Sequence, residues 1–495
     1  MSEKNSYNSI LKTTGLVGLV QIIAILLGII RTKCIAIILG TGGFGVFSLY
    51  NSLLDFMSNT CQFGIGAGGV RQLALEKSDE RQNEVEKIVF ILKTWIIGAS
   101  SVAALLMILF SKEISLFQFK NDKYSLGIIF ISFAVLFSNI YNINIIILNG
   151  VREIKAMAKV QVMAAVWGVI VALPILYFFR QKGIELSILA VFIVNSIVSA
   201  LYIRKLGIKS ILPTKSEYIK HFKPIIGIGI SYAIPGIINT CLLYVARFYL
   251  KEIFSFEVLG IYQACIVLST LYVQTIVSAM GVEFLPSLMS VRDNDQLINK
   301  KAAEQMELGL LLGSIGVIAT FAFAPYILQL FYNHDFIQGT SILRWQIMAV
   351  LLRVLEWPLG YTTTAKGKSG VYMTLQIFYL FFDFGMLYLF TRLWGFNGLG
   401  MCHFVAYTIF FIVRYYSVKK ITGFVFTPLL RKIFLTICIF VTLLVLNTIF
   451  IKDSIALFIS LFILVISCLW SNKVLKEEMN INMLLMMKRF IKSKS

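Results

Sequence analysis

Charge is scarce in this chain, and acidic charge is scarcer than basic. Only 14% of its 495 residues are Asp, Glu, Lys or Arg, against about a quarter in an ordinary soluble protein. Just three are histidine, His221, His334 and His403, far apart and with no HExxH among them. The seven cysteines (Cys34, Cys61, Cys241, Cys265, Cys402, Cys438 and Cys468) all fall in apolar segments without a CxxC. That spacing supports neither a zinc site nor a disulfide framework, and no metal or catalytic residue is expected. The glycine-rich runs GTGGFG (Gly40 to Gly45) and GIGAGG (Gly64 to Gly69) lack the Lys-Ser/Thr of a P-loop and follow no strand, which argues against a nucleotide site. They read instead as a tight turn and a close helix packing surface. Long hydrophilic loops on the external side are missing too, so a membrane glycosyltransferase or polymerase would have little platform for acceptor and base.

What the chain has in excess is apolar surface. Hydrophobic residues make up 58%, and the mean hydropathy is +0.82. Apolar runs long enough to cross a bilayer recur from end to end, which predicts an all-α polytopic membrane protein. Fourteen spans are expected, near 10–38, 44–68, 88–111, 125–148, 159–180, 184–203, 224–251, 258–285, 303–329, 341–364, 371–391, 396–417, 431–451 and 454–471. The polar start MSEKNSYNSILKTT has no small-residue cleavage site after it, so the first span reads as a retained helix.

The formal charge of +20 follows topology rather than nucleic acid. Basic residues crowd alternate loops: Arg71, Lys77, Arg81 and Lys87; Arg152, Lys155 and Lys159; Arg204 to Lys223; Arg292, Lys300 and Lys301. The intervening loops hold few, such as Lys112, Lys120, Lys123, Arg180 and Lys182. This bias puts both termini in the cytoplasm and leaves no nucleic-acid partner. The expected organisation is a six-helix lobe over 1–203, a cytoplasmic linker over 204–223 and a second six-helix lobe over 224–418. Two additional helices over 419–471 and a basic tail over 472–495, suited to an anionic leaflet, complete it.

The first hairpin recurs. Ile29 to Asp55 reads IIRTKCIAIILGTGGFGVFSLYNSLLD, and Tyr244 to Thr270, 215 positions on, reads YVARFYLKEIFSFEVLGIYQACIVLST. Phe44-Gly45-Val46-Phe47 then lies over Leu259-Gly260-Ile261-Tyr262, and Arg31 falls one position from Arg247. Six spans return the chain to the same side, so the repeats are parallel, related by an axis along the membrane normal.

Ionisable residues inside spans are the functional candidates, because each costs roughly 2.5–3.5 kcal/mol if left facing lipid. Arg31, Lys33, Arg247 and Arg353 are the candidate ligands of an anionic cargo, since guanidinium groups pair bidentately with phosphate. Lys33, like Arg344 and Lys251, also has the simpler reading of a side chain snorkelling to the interface. Asp55, Asp383, Glu356 and His403 are candidates for ion coupling or gating. The alternatives are an Arg353–Glu356 pair within one helix, at i, i+3, and a satisfied interior histidine at 403.

The pattern R-x-K-x-x-A-x-x-L-G-x-x-G-F-G-x-F-S (Arg31 to Ser48) resembles the first hairpin of polysaccharide repeat-unit flippases. QFGIGAGGVRQLA (Gln62 to Ala74) resembles the end of their second span. These proteins belong to the multidrug/oligosaccharidyl-lipid/polysaccharide exporter (MOP) superfamily. The resemblance implies two six-helix lobes around a central cavity, alternating access, and an undecaprenyl-pyrophosphate-linked O-antigen or capsule repeat unit as cargo. It makes the chain a secondary transporter of the bacterial cytoplasmic membrane, not an enzyme. It needs no cofactor, with H+ or Na+ coupling left open. The expected partners are the lipid-linked oligosaccharide, membrane lipids, and the polysaccharide polymerase with its chain-length machinery. A cation-coupled multidrug exporter is the alternative within the superfamily, and would favour an acidic and aromatic cavity.

Overall fold

The computed structural model describes residues 3–76, 82–451 and 453–479. Within them the chain is all helix and turn, without a strand. This is the result expected of a chain whose backbone must satisfy its own hydrogen bonds in lipid. The tail from 480 onward, including Lys488, Arg489, Lys492 and Lys494, and the loop residues Lys77 and Arg81 lie outside the described residues.

Each of the fourteen expected spans has its helix. The first two are fused as α1 (Glu3–Gln62), broken at Gly40, whose φ of 67° and ψ of −175° leave the helical region. Positive φ at that point favours glycine, so GTGGFG is the turn that its composition predicts. α2 (Ile65–Glu76) follows Gly64, again at positive φ (76°). Then come α3 (Gln82–Leu109), the short α4 (Ser111–Phe119), α5 (Ser125–Gly150), α6 (Ile154–Phe179) and α7 (Ile184–Lys205). α8 (Lys215–Ile253) and α9 (Phe256–Met289) carry the second copy of the hairpin. α10 (Asp295–Ala322), α11 (Ala324–Phe331), α12 (Thr340–Ala365), α13 (Ser369–Trp394), α14 (Gly398–Thr422), α15 (Pro428–Phe450) and α16 (Asp453–Met479) complete the chain. Among the described residues, nine helical stretches are apolar and long enough to cross a membrane; three of these hold two helices each, and α9 and α12 complete the fourteen. α12 falls short on composition because Arg344, Arg353 and Glu356 sit in it.

Two compact units divide the chain. Unit 1 comprises Met1–Ile261 with Phe331–Asp335; unit 2 comprises Tyr262–Leu330 with Phe336–Ser495. In unit 1, α5 packs on α3 and α7, α6 on α1 and α7, and α8 on α1 and α2. Its core gathers Ile88, Leu92, Ile143, Ile147, Val160 and Ile225. The second glycine run supplies the α2–α8 seam: a Cβ on Gly68 would collide with the Ile225 carbonyl, and one on Gly64 with the Gly229 carbonyl. α8 starts on a capping box, Thr214 with Glu217. Its first turns are tied to α3 through Lys87, which bonds Glu84 at 2.9 Å and Glu217 at 2.6 Å, while His221 meets Glu84 at 2.8 Å. The basic stretch after α7 therefore contains an ordered ion-pair cluster as well as charge.

The duplicated hairpins leave a reciprocal signature in unit 1. A Cβ on Gly45 would strike the Phe256 carbonyl, and a Cβ on Gly260 would strike the Thr41 carbonyl. Thr41 and Phe256 are themselves equivalents at the 215-residue offset, as are Gly45 and Gly260. Residue i meeting j′ while j meets i′ is the pattern of two copies related by a local two-fold. The repeat seen as weak sequence similarity is thus a physical contact at its own glycines.

In unit 2, α12 packs on α10 and α14, and α13 on α14. α15 and α16 pack on α10 and on each other, around Leu310, Leu355, Ile433, Ile437 and Leu444. α15 begins with Thr427 capping Leu430 N at 2.9 Å and Pro428 in the first turn, an arrangement that needs no amide from proline. α16 runs on past 471 to Met479.

Candidate functional site

Unit 2 brings four of the candidate residues into one polar network. Asp383 on α13 accepts from, or donates to, His403 Nδ1 on α14 at 2.8 Å, and the other ring nitrogen, Nε2, lies 2.7 Å from the Tyr262 hydroxyl on α9. With Asp383 ionised and the ring neutral, Nδ1–H donates to the carboxylate and Nε2 accepts from Tyr262. The three side chains form a continuous hydrogen-bonded line across three helices. Arg353 on α12 lies over the Tyr407 ring, 5.9 Å from its centroid, within the fields of Glu356 and Asp383.

Glu356 takes a partner that the sequence did not single out. Arg414 on α14, fully buried at 0% exposure, donates from Nε to Glu356 Oε1 at 2.9 Å. Its guanidinium is stacked between Tyr372 and Phe410, 5.0 Å from each centroid. Its Nη1 and Nη2 are buried without a hydrogen-bond partner. Glu356 is therefore held across α12 and α14 rather than by Arg353 within α12. The signal for Arg414 was weak because it stands three residues from the expected end of its span, in RYYSVKK, where it reads as one more basic boundary residue. Arg344 is accounted for locally, donating from Nε to the Phe321 carbonyl at 3.2 Å and lying over that ring.

Unit 1 holds the remaining candidates, in a different state. Asp55 of α1 is exposed and lies in the field of Arg247 of α8. The neighbouring rings Phe56 and Tyr244 stack 6.1 Å apart with planes 5° from parallel. Arg31, by contrast, lies over α6: a Cβ on Gly168 would sit 3.7 Å from its Nη1. Its Nε is buried without a hydrogen-bond partner, and no carboxylate pairs with it among the described residues. Lys33 is half-buried and likewise lacks an ion pair there. The two arginines of the repeat therefore occupy unlike surroundings, one beside a carboxylate and the other beside a glycine. Lys251, weighed as a snorkelling residue, pairs with Glu252 at 2.7 Å.

Ionisable groups set within long apolar helices mark the class of polytopic membrane proteins. The fold agrees with that class. The lipid II flippase MurJ in an inward closed conformation superposes at a TM-score of 0.69, with 15% identity, over 94% of this chain and all of that one. An inward-facing multidrug resistance MATE family transporter of the MOP superfamily superposes at 0.67, with 13% identity, over 79% of this chain and 94% of the other. In sequence, the lipid III flippase of Escherichia coli (strain K12) is 20% identical over 362 residues, which is 71% of this chain and 84% of the relative. The profile of the polysaccharide biosynthesis protein family matches residues 34–341. The chain belongs to that family, and its fold is the one those transporters share.

Proposed function

We propose that this protein flips a polyprenyl-pyrophosphate-linked oligosaccharide, an O-antigen or capsule-type repeat unit, from the inner to the outer leaflet of a bacterial cytoplasmic membrane. The family membership and the similarity to a lipid III flippase support a lipid-linked saccharide as the cargo class. The observation that carries the reading is Arg31, a permanently charged side chain on a membrane-spanning helix, buried at Nε and without a partner among the described residues. Leaving a buried cation unmatched is costly. A pyrophosphate supplies the missing acceptors and matches the guanidinium's donor geometry. The glycan would cross through water while the lipid chain stays in the bilayer, with both termini in the cytoplasm and an alternating-access cycle. Arg247 and Lys33 would add to the cationic character of unit 1, and Arg353 is the candidate cargo ligand of unit 2. Coupling to H+ or Na+ would run through Asp383 and His403, or through Asp55. The polysaccharide polymerase and chain-length machinery would take up the product.

The test is surface polysaccharide in a strain deleted for its own flippase and carrying this chain. Wild-type protein should restore polymer, Arg31→Ala at matched protein level should not, and Arg31→Lys should restore part of it. Full polymer from Arg31→Ala would refute the cationic site.

One observation favours a second reading. Unit 2 gathers two carboxylates, Asp383 and Glu356, among the aromatic side chains Tyr262, Tyr379 and Tyr407, although Arg353 and Arg414 lie with them; carboxylates among aromatics suit a cation-coupled multidrug exporter. Drug resistance conferred by the chain, without polysaccharide restoration, would favour it.

A further inference from the structure

A wholly apolar groove of about 480 Å³ opens on unit 1 between α1 and α6. Its size falls within the ~300–1,000 Å³ of ordinary ligand pockets. Cys34, Ile37 and Ile38 line it from α1, and Pro174, Tyr177 and Phe178 from α6. The sequence of α6 explains why it opens there. Ala164, Gly168 and Ala172 recur every fourth residue and are buried, letting the backbones approach. Beyond them Pro174 removes one backbone donor, and Tyr177 and Phe178 stand out at 67% and 77% exposure.

The same two helices hold Arg31. It lies one turn before Cys34 on α1, and its guanidinium faces Gly168, six residues before Pro174 on α6. α1 and α6 thus run in the same direction here, and the cation lies about 5–10 Å along the axis from the groove at 1.5 Å per residue. Arg31 Nε is buried and unpartnered. The break at Gly40 lies nine positions further on, about 13 Å of helix. With that break at the outer edge of the bilayer, Arg31 would lie near mid-depth of a hydrocarbon core of ~30 Å.

We propose that the groove seats the first isoprene units of a polyprenyl pyrophosphate whose phosphates are held by Arg31. The inference rests on the function proposed above and assigns a place to the lipid part of the cargo. The occupant follows from charge and depth together. A bulk phospholipid keeps its phosphate at the membrane surface, whereas here an anion-seeking side chain and an apolar trough lie end to end well below it. An amphiphile drawn into the protein by its headgroup satisfies both.

The test uses full-length protein in liposomes with a photo-crosslinking amino acid at position 37 or 177, and at position 439 on α15 as a lipid-facing control. The probes are alkyne-tagged undecaprenyl pyrophosphate and alkyne-tagged phosphatidylglycerol at equal mole fraction. The expected result is at least a fivefold excess of polyprenyl over phospholipid labelling at 37 and 177, no excess at 439, and loss of the excess in Arg31→Ala. Arg31→Lys should keep part of it and serves in place of alanine if that variant fails to fold. Equal labelling by the two probes, or an excess untouched by the Arg31 substitutions, overturns the proposal. Restored surface polysaccharide without the labelling excess sinks the groove alone and leaves the flippase reading standing. Failure of both takes down both.

Discussion

In unit 2 two pairs of charged residues within the helices hold each other: Glu356 with Arg414 across α12 and α14, and Asp383 with His403 across α13 and α14. In unit 1 Arg31 has no such partner among the described residues, and Asp55 is exposed beside Arg247. Charges that satisfy each other are integrated into the fold, and their removal should be felt first as instability. A charge left unmatched contributes nothing of that kind and is retained at a desolvation cost, so its removal should be felt first as lost transport. The contrast divides charges matched within the fold from charges left unmatched, without reference to sequence position.

The largest effect should come from the partner that the sequence concealed. Arg414→Ala leaves Glu356 uncompensated, and breaking a buried pair in this way costs about 3–5 kcal/mol. We expect much less folded protein and a clearly lowered thermal midpoint in detergent, with the double variant Arg414→Met/Glu356→Leu recovering part of the loss. If Arg414→Ala matches wild type in stability and fails only in transport, the division between the units is wrong.

Next in size is the glycine contact between the repeats. Gly260→Val would push side-chain atoms into the Thr41 carbonyl, an overpacking of about 1–3 kcal/mol. Gly45→Val should cost a similar amount because the contact is reciprocal, and thermal unfolding of the two variants side by side measures this. A loss confined to one of them would break the local symmetry that the offset of 215 implies.

These elements show how far the sequence reached. The fourteen spans were legible because lipid imposes length and apolarity on every one, and Gly40 because a break in a helix needs a residue at ease with positive φ. The repeat was legible as a pattern, but its meaning as a contact was not, since identity says nothing of which residues touch. The network in unit 2 was half legible. Asp383, His403, Arg353 and Glu356 stood out as charges within spans, yet the choice of Arg414 over Arg353 depends on how α12 and α14 face each other, 58 residues apart in the chain. Tyr262, an uncharged residue, gave no signal until the fold set it against His403.

Asp383→Asn should have a smaller effect on folding than Arg414→Ala, because it keeps a hydrogen bond to His403 Nδ1. If the line from Asp383 to Tyr262 carries a proton, the variant loses its response to an imposed pH gradient in liposomes while cargo still binds. A variant that keeps the gradient response makes the line a structural tie like Arg414–Glu356. The same comparison with a sodium gradient separates the two ions.

The smallest effect belongs to the ion-pair cluster between α3 and α8 in unit 1, where the matched charges of Lys87, Glu84 and Glu217 are only half-buried. Lys87 and the Thr214 cap hold the Glu217 carboxyl at about 2, below its ordinary 4.5. A carboxylate whose folded pKa is depressed adds stability that is fully present above its unfolded value and is lost as pH falls through the folded one. The contribution from Glu217 should therefore be complete above pH 4.5 and fade between 4.5 and about 2. The measurement is the thermal midpoint of wild type minus that of Glu217→Gln, followed from pH 6 down to pH 3. Pairs open to water on one side contribute little and are screened by salt, so the difference should be small at pH 6, shrink at pH 3 and diminish at high ionic strength. A difference as large as that of Arg414→Ala would mean that the tie between α3 and α8 belongs with the buried pairs of unit 2, and the contrast would then lie in burial rather than in which unit holds the charge.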